Sequence, residues 1–144
     1  MKVSEIRVSY SNENPDKVKI HDSNSVYDLV KYHWDYNLIE LQEEVKVVLL
    51  NRANVVIGIY ELSRGGLTAS VVDIKLILSV ALKALASSIV LIHNHPSGNL
   101  KASEADKSIT IRLKKACDIV DMSLLDHLII SKYGYLSFKD EGLI

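Results

Sequence analysis

The stretch SIVLIHNHPSG, residues 88–98, is the feature that most restricts the fold of this chain. Its apolar part predicts a buried strand of a sheet. The Leu- and Ala-rich segment before it, IKLILSVALKALASS, follows Asp73 and predicts a mostly buried helix with an acidic N-terminal cap. A core strand does not need to end in two histidines, a proline and a glycine, so this ending indicates either a site of chemistry or a polar strand cap.

The remaining chain alternates predicted strands with predicted helices, which indicates a layered α/β protein. Hydrophobic spacing and potential caps predict two further helices, within Ser23–Asp35 and from Ser103 to about Val120. Runs rich in apolar residues predict the strands, a hairpin among them. These strands are Glu5–Tyr10, Glu43–Asn51, Val55–Glu61 and Leu124–Ser131, with a turn at Tyr133–Tyr135 before the C-terminal tail.

The bulk properties favour one domain. The chain has 144 residues, of which 48% are hydrophobic, and 17 basic against 18 acidic residues give a formal charge of -1. No segment has the dense basic cluster that nonspecific DNA binding uses, so charge does not support a DNA partner. Cys117 is the only cysteine, which excludes a Cys-rich zinc site and fits the cytoplasm. No signal peptide or membrane span is predicted.

The two histidines suit a metal site. Because side chains alternate along a strand, His93 and His95 project from the same side if the strand continues through them. A catalytic zinc ion typically takes three protein ligands and keeps a fourth position for water. Asp106 is the best third candidate, since Pro96 and Gly98 can turn the chain and a helix starting near Ser103 has Asp106 in its first turn.

Other interpretations compete with the metal site. Ser103 and Asp106 have the spacing of a capping box, and a histidine at a strand end is usually structural. A capped first turn would also hold an aspartate still, so cap and ligand are compatible. The letters HNH do not indicate a nuclease, because nuclease motifs of that name are dispersed over a longer element. A zinc deaminase is excluded because the chain has no P-C-x-x-C ligand pair.

The motif resembles that of the JAMM/MPN+ metalloproteases, H-x-H-P followed after six residues by S-x-x-D. His93, His95, Pro96, Ser103 and Asp106 match every fixed letter. HNHPSG, LDHLII and YLSF are similar to the RadC-type branch, long labelled as DNA repair proteins. The resemblance implies a single-domain, three-layer JAB/MPN fold, cytidine-deaminase-like, with a mixed central sheet flanked by helices. Residues 37–144 would form the RadC-like domain and residues 1–36 a strand and helix extension of the same unit.

The resemblance also implies a mechanism. One zinc per chain would be held by His93, His95 and Asp106 with a bound water, an upstream glutamate would take the proton of that water, and Ser103 would stabilise the tetrahedral intermediate. The substrate would be an unidentified peptide or isopeptide.

The general base falls on one of two adjacent glutamates. Glu43 shares a predicted strand face with Val45 and Val47, whereas Glu44 shares the face of Lys46, which we expect to be wetter. Alternation and the family pattern favour Glu43. His127 matches the family pattern but no ligand position, so it is expected to have a supporting or structural role. The alternative function is a non-catalytic, DNA-associated or protein-interaction domain of the RadC type. Sequence leaves the oligomeric state open.

Overall fold

The computed structural model describes residues 1–65 and 72–144. The described residues form one five-stranded sheet with the strands Glu44–Leu50 (β1), Val56–Arg64 (β2), Ser88–Asn94 (β3), Ser123–Ile130 (β4) and Tyr135–Ser137 (β5). The helices are Ser23–Lys31 (α1), Ile74–Lys83 (α2) and Glu104–Ile119 (α3). No helix within these residues is both long and apolar enough to span a membrane.

The sheet is mixed and has the strand order β2-β1-β3-β4-β5. Strands β1 and β2 form the predicted antiparallel hairpin, and β1 also pairs antiparallel with β3. Strand β4 runs parallel to β3, which requires a long crossover, and α3 forms that connection. Because β3 lies at the centre of the sheet, His93 near its carboxyl end pairs with Val45 of β1 on one side and with Ile129 of β4 on the other.

Helices cover both faces of the sheet. On one face α2 and α3 pack against alternate side chains of β1 and β3, with Ile77 and Leu113 in contact with the cluster around Val47 and Leu91. On the other face α1 and the segment after it pack against the intervening side chains. The uninterrupted apolar run of β3 follows from this burial on both faces. The predicted three-layer α/β architecture is confirmed.

The predicted helix caps are also present. Asp73 accepts a hydrogen bond from the Leu76 backbone N–H at 3.1 Å and begins α2. Asp22 caps α1 and Ser103 caps α3, each through a reciprocal capping box. These bonds satisfy N–H groups that have no partner within the helix.

Two predictions are wrong, and one boundary differs. Residues Glu5–Tyr10 form no strand, and Ile6 and Val8 are exposed, because no strand of residues 1–65 and 72–144 pairs with them. The turn expected at Tyr133–Tyr135 is present but ends one residue early, because Tyr135 begins β5 and pairs with Ile130. The Lys46 face of β1 is not wet, because α1 and the following segment bury it.

Candidate metal centre

Strand β3 and the turn after it position the two histidines. His93 is 3% exposed and lies on the face covered by α2 and α3. His95 follows the strand, and its backbone N–H donates to the Ile130 carbonyl at 3.0 Å, which fixes it at the end of β4. Gly98 closes the turn with a hydrogen bond to the His95 carbonyl at 2.9 Å and has φ +81°, a conformation that favours glycine. The Nε2 atoms of the two imidazoles are 3.0 Å apart.

The first turn of α3 brings Asp106 to these imidazoles. One carboxylate oxygen lies 3.2 Å from His93 Nε2 and the other lies 3.2 Å from His95 Nε2. The second oxygen also accepts the Ser103 backbone N–H at 2.9 Å, while Ser103 Oγ accepts the Asp106 backbone N–H at 3.0 Å. The capping box and the contact with the imidazoles therefore coexist, so the two roles expected of Asp106 are compatible.

The three side chains form a group that could hold a metal ion. Their ligand atoms lie within 4.8 Å of one another. The Asn99 carbonyl lies 2.6 Å from His95 Nδ1, and a carbonyl only accepts, so Nδ1 of a neutral His95 has the hydrogen and Nε2 has a lone pair. That lone pair faces the Asp106 carboxylate. Two imidazole nitrogens and a carboxylate, which all offer lone pairs to the same small region, are suitable ligands for a divalent cation.

The electrostatics of the group have a local cause. Burial alone would raise the pKa of Asp106, but His93 and His95, which can donate from Nε2 to the carboxylate when they are protonated, outweigh burial and hold the pKa well below its usual range. The same hydrogen bond from the protonated ring to Asp106 raises the pKa of His95. The carboxylate is thus ionised throughout the neutral pH range, as a metal ligand must be.

Comparison with known proteins assigns the family. Residues 20–143 match the family model described as RadC-like JAB domain. This chain belongs to the RadC-like JAB domain family. It is 43% identical over 136 residues to a UPF0758 protein of Porphyromonas gingivalis, covering 93% of this chain and 58% of that protein. A UPF0758 protein of Flavobacterium johnsoniae is 46% identical over 101 residues, covering 70% and 44%.

A third relative is matched over a similar share of its length. The UPF0758 protein NMB1038 of Neisseria meningitidis serogroup B is 35% identical over 132 residues, covering 92% of this chain and 57% of that protein. The chain thus spans about half the length of these relatives.

The two glutamates of this RadC-like JAB domain lie in different surroundings. Glu43 is half-buried and lines a cavity of about 170 Å³ together with His93, Asp106 and His127. Glu44 is 1% exposed and lies near Lys46 Nζ at 3.7 Å and Arg64 Nε at 3.6 Å. Glu43 is therefore the one that borders the candidate metal centre, and Glu44 belongs to an ion-pair cluster.

Two residues that support this centre of the RadC-like JAB domain were not predicted from the sequence. Thr110, on α3, has its hydroxyl oxygen 2.6 Å from His127 Nδ1, and Asn94, on the opposite face of the sheet, holds the segment before β1 through the carbonyls of Ile39 and Gln42. His127 lies against His93, with Nε2 2.8 Å from His93 Nδ1, so it contacts a candidate ligand without belonging to the candidate ligand group. Thr110 lies four residues after Asp106, so the spacing predicts that the two share a helix face, but the contact with His127 depends on how α3 packs against β4.

Proposed function

We propose that this RadC-like JAB domain is a zinc-dependent hydrolase of peptide or isopeptide bonds. The observation that carries the proposal is the convergence of two imidazoles and one carboxylate beside a cavity that Glu43 also lines. Two nitrogen ligands and one oxygen ligand are a common set for catalytic zinc, in which a fourth position stays open. We expect one zinc ion per chain.

The residues around the site supply the remaining functions. A bound zinc ion would act as a Lewis acid on the scissile carbonyl and lower the pKa of a coordinated water to about 7. Glu43, at the wall of the same cavity, would accept the proton of the attacking water and pass it to the leaving nitrogen. The C–O bond from water to the carbonyl carbon would form first, and the amide C–N bond would break when the tetrahedral intermediate collapses and the nitrogen leaves with the proton from Glu43.

Ser103 is suited to stabilise the developing charge. Its Oγ accepts the Asp106 backbone N–H, so the hydroxyl hydrogen is not used in that bond and can donate to the substrate oxygen. The residue is exposed at the start of α3, where the helix dipole also favours negative charge. A substrate carbonyl can therefore approach it from solvent.

The decisive experiment combines metal content with turnover. Elemental analysis of chain purified without chelator should find about one zinc per chain, and a His93→Ala, His95→Ala double variant should bind none. Peptide and isopeptide libraries should then yield a substrate that wild type cleaves. Glu43→Gln should keep the zinc and lose cleavage, because the amide cannot accept the proton. Wild-type chain without metal, or full cleavage by Glu43→Gln, would contradict the proposal.

The DNA-associated alternative has a test of its own. A salt-dependent gel shift by a zinc-bound chain that cleaves none of the library would favour it. The formal charge of -1 supplies no basic surface excess for such binding, so the hydrolase is the better-supported function.

A further inference from the structure

We propose that His127 and Thr110 are positioning residues that fix the tautomer of His93, so that its Nε2 lone pair points at Asp106 and His95. The proposal deepens the metal site on which the proposed function rests. The proposal follows from four groups that are hydrogen-bonded one to the next: the Asp106 carbonyl, Thr110, His127 and His93. Once the role of the carbonyl as an acceptor is fixed, the donor and acceptor of each following bond can be assigned.

The first group is the backbone carbonyl of Asp106, which only accepts. Thr110 Oγ1 lies 2.7 Å from this carbonyl oxygen, one helical turn away, so the threonine hydroxyl donates its single hydrogen there. The oxygen of Thr110 is then left with lone pairs only. Any further hydrogen bond to Thr110 Oγ1 must be donated by its partner.

That partner is His127. Its Nδ1 lies 2.6 Å from Thr110 Oγ1, so Nδ1 has the hydrogen. His127 is 1% exposed and its ring stacks on Phe138 with centroids 4.4 Å apart, which fixes its orientation. A neutral imidazole has one N–H, and a charged ring would be costly at this depth. Its Nε2 is therefore an acceptor.

The last step reaches the candidate ligand. His93 Nδ1 lies 2.8 Å from His127 Nε2, so His93 is the donor and its hydrogen is on Nδ1. Its Nε2 then has a lone pair, 3.2 Å from the Asp106 carboxylate and 3.0 Å from His95 Nε2. The hydrogen bonds begin at the Asp106 carbonyl and end at His93, whose Nε2 lies beside the Asp106 carboxylate. We refer to this series of bonds as the Thr110–His127 relay.

Removal of the threonine hydroxyl releases this constraint. Without an acceptor for its Nδ1–H, His127 can take the other tautomer and donate from Nε2 to His93 Nδ1. The hydrogen of His93 then moves to Nε2, where it occupies the lone pair needed by a metal ion. The relay thus predicts that loss of the Thr110 hydroxyl weakens metal binding, although Thr110 is not itself one of the candidate ligands.

The test compares Thr110→Val, which keeps the shape, with Thr110→Ser, which keeps the hydroxyl. Zinc affinity of the full chain is measured by competition with a chromophoric chelator. Thr110→Val should bind about 10- to 100-fold more weakly than wild type, and Thr110→Ser should stay close to wild type. Equal affinity of Thr110→Val and wild type would overturn the relay. Thermal unfolding identifies any variant that fails to fold.

A second pair of variants tests His127 itself. In His127→Gln the side-chain oxygen can accept the His93 Nδ1–H, whereas His127→Phe can only stack on Phe138. The glutamine variant should therefore retain more zinc affinity than the phenylalanine variant. The reverse order would contradict the relay even if both variants lose stability.

Long-range ¹H–¹⁵N NMR of the imidazoles gives a readout that needs no metal. In metal-free wild type, above the pH at which histidines protonate, His93 and His127 should both show the Nδ1–H tautomer, and Thr110→Val should shift both towards Nε2–H. A wild-type Nε2–H on either ring would overturn the proposal. If the tautomers are as expected but wild type binds no zinc, the relay is supported and the proposed function fails.

Discussion

The side chain of Asn94 accepts a hydrogen bond from the backbone N–H of Glu44 at 2.7 Å. It also donates to the carbonyls of Ile39 and Gln42, at 2.7 Å and 2.9 Å, and is fully buried. Asn94 directly follows His93, and its side chain points to the opposite face of the sheet. One buried amide thus ties the segment around Glu43 to the strand that presents the candidate ligands.

Asn94→Ala should destabilise the fold strongly. The substitution leaves one buried carbonyl, one partly buried carbonyl and one buried N–H without their partner, so we expect the free energy of unfolding to fall by roughly 2–4 kcal/mol. Urea denaturation measures this change. Asn51→Ala is the matched control, because Asn51 also accepts backbone N–H bonds, from Ala53 and Val55, but is exposed. Equal losses in the two variants would show that the Asn94 bonds contribute little.

The neighbouring glutamates should separate stability from activity. Glu44→Gln leaves the nearly buried Lys46 ammonium without its carboxylate. We expect a loss on the order of 2 kcal/mol in the free energy of unfolding, moderated because the Arg64 side of the cluster is half-exposed. Zinc affinity should not change. Glu43→Gln is the comparison, and it should lose less free energy of unfolding in the same urea titration. A larger loss in Glu43→Gln than in Glu44→Gln would mean that Glu43, and not Glu44, is the residue that stabilises the fold.

Local patterns predicted most of the fold. The helix expected from Ser103 to about Val120 is observed at Glu104–Ile119, and the strand expected at Glu43–Asn51 is observed at Glu44–Leu50. Caps and hydrophobic spacing act over a few residues, so sequence alone indicates them. The spacing of His93, His95 and Asp106 is likewise local, and the structure brings these three together.

Features that depend on distant partners could not be predicted. Strand β5 has three residues and exists through its pairing with β4, whereas the alternating residues Glu5–Tyr10 pair with no strand in the described part of the chain. The faces of β1 were misjudged because α1 buries the side of Lys46. The position of Thr110 beside His127 depends on the packing of α3 against β4, about which a lone threonine in a helix gives no information.

Zinc should stabilise the fold through Asp106. A ligand that binds only the native state adds about 2.7 kcal/mol at a free concentration 100 times its Kd, so zinc should raise the Tm of wild type in differential scanning fluorimetry. Asp106→Asn should lose this rise, because the neutral amide is a poor substitute for a carboxylate ligand. Asp118→Asn is the control on the same helix, since Asp118 pairs at the surface with Lys114. A full rise in the Asp106 variant would exclude Asp106 as a ligand.

Cys117 should make the fold sensitive to alkaline pH. Its side chain is fully buried on α3 against the α2 face of the sheet, and burial raises the pKa of the thiol from its ordinary value near 9 to about 11. Between these values the unfolded chain loses the thiol proton before the folded chain does. Stability is therefore retained below pH 9 and lost as pH rises towards 11, by on the order of 2–3 kcal/mol.

The variant Cys117→Ala isolates this effect from other alkaline titrations. It should be less stable than wild type near neutral pH because of the small cavity, but its free energy of unfolding should fall less steeply above pH 9. Lys and Tyr residues titrate in both proteins, so the difference between the two urea-derived stability curves reports the thiol alone. Parallel curves across this pH range would mean that the Cys117 thiol ionises equally in the folded and unfolded chain, and that its burial has no electrostatic cost.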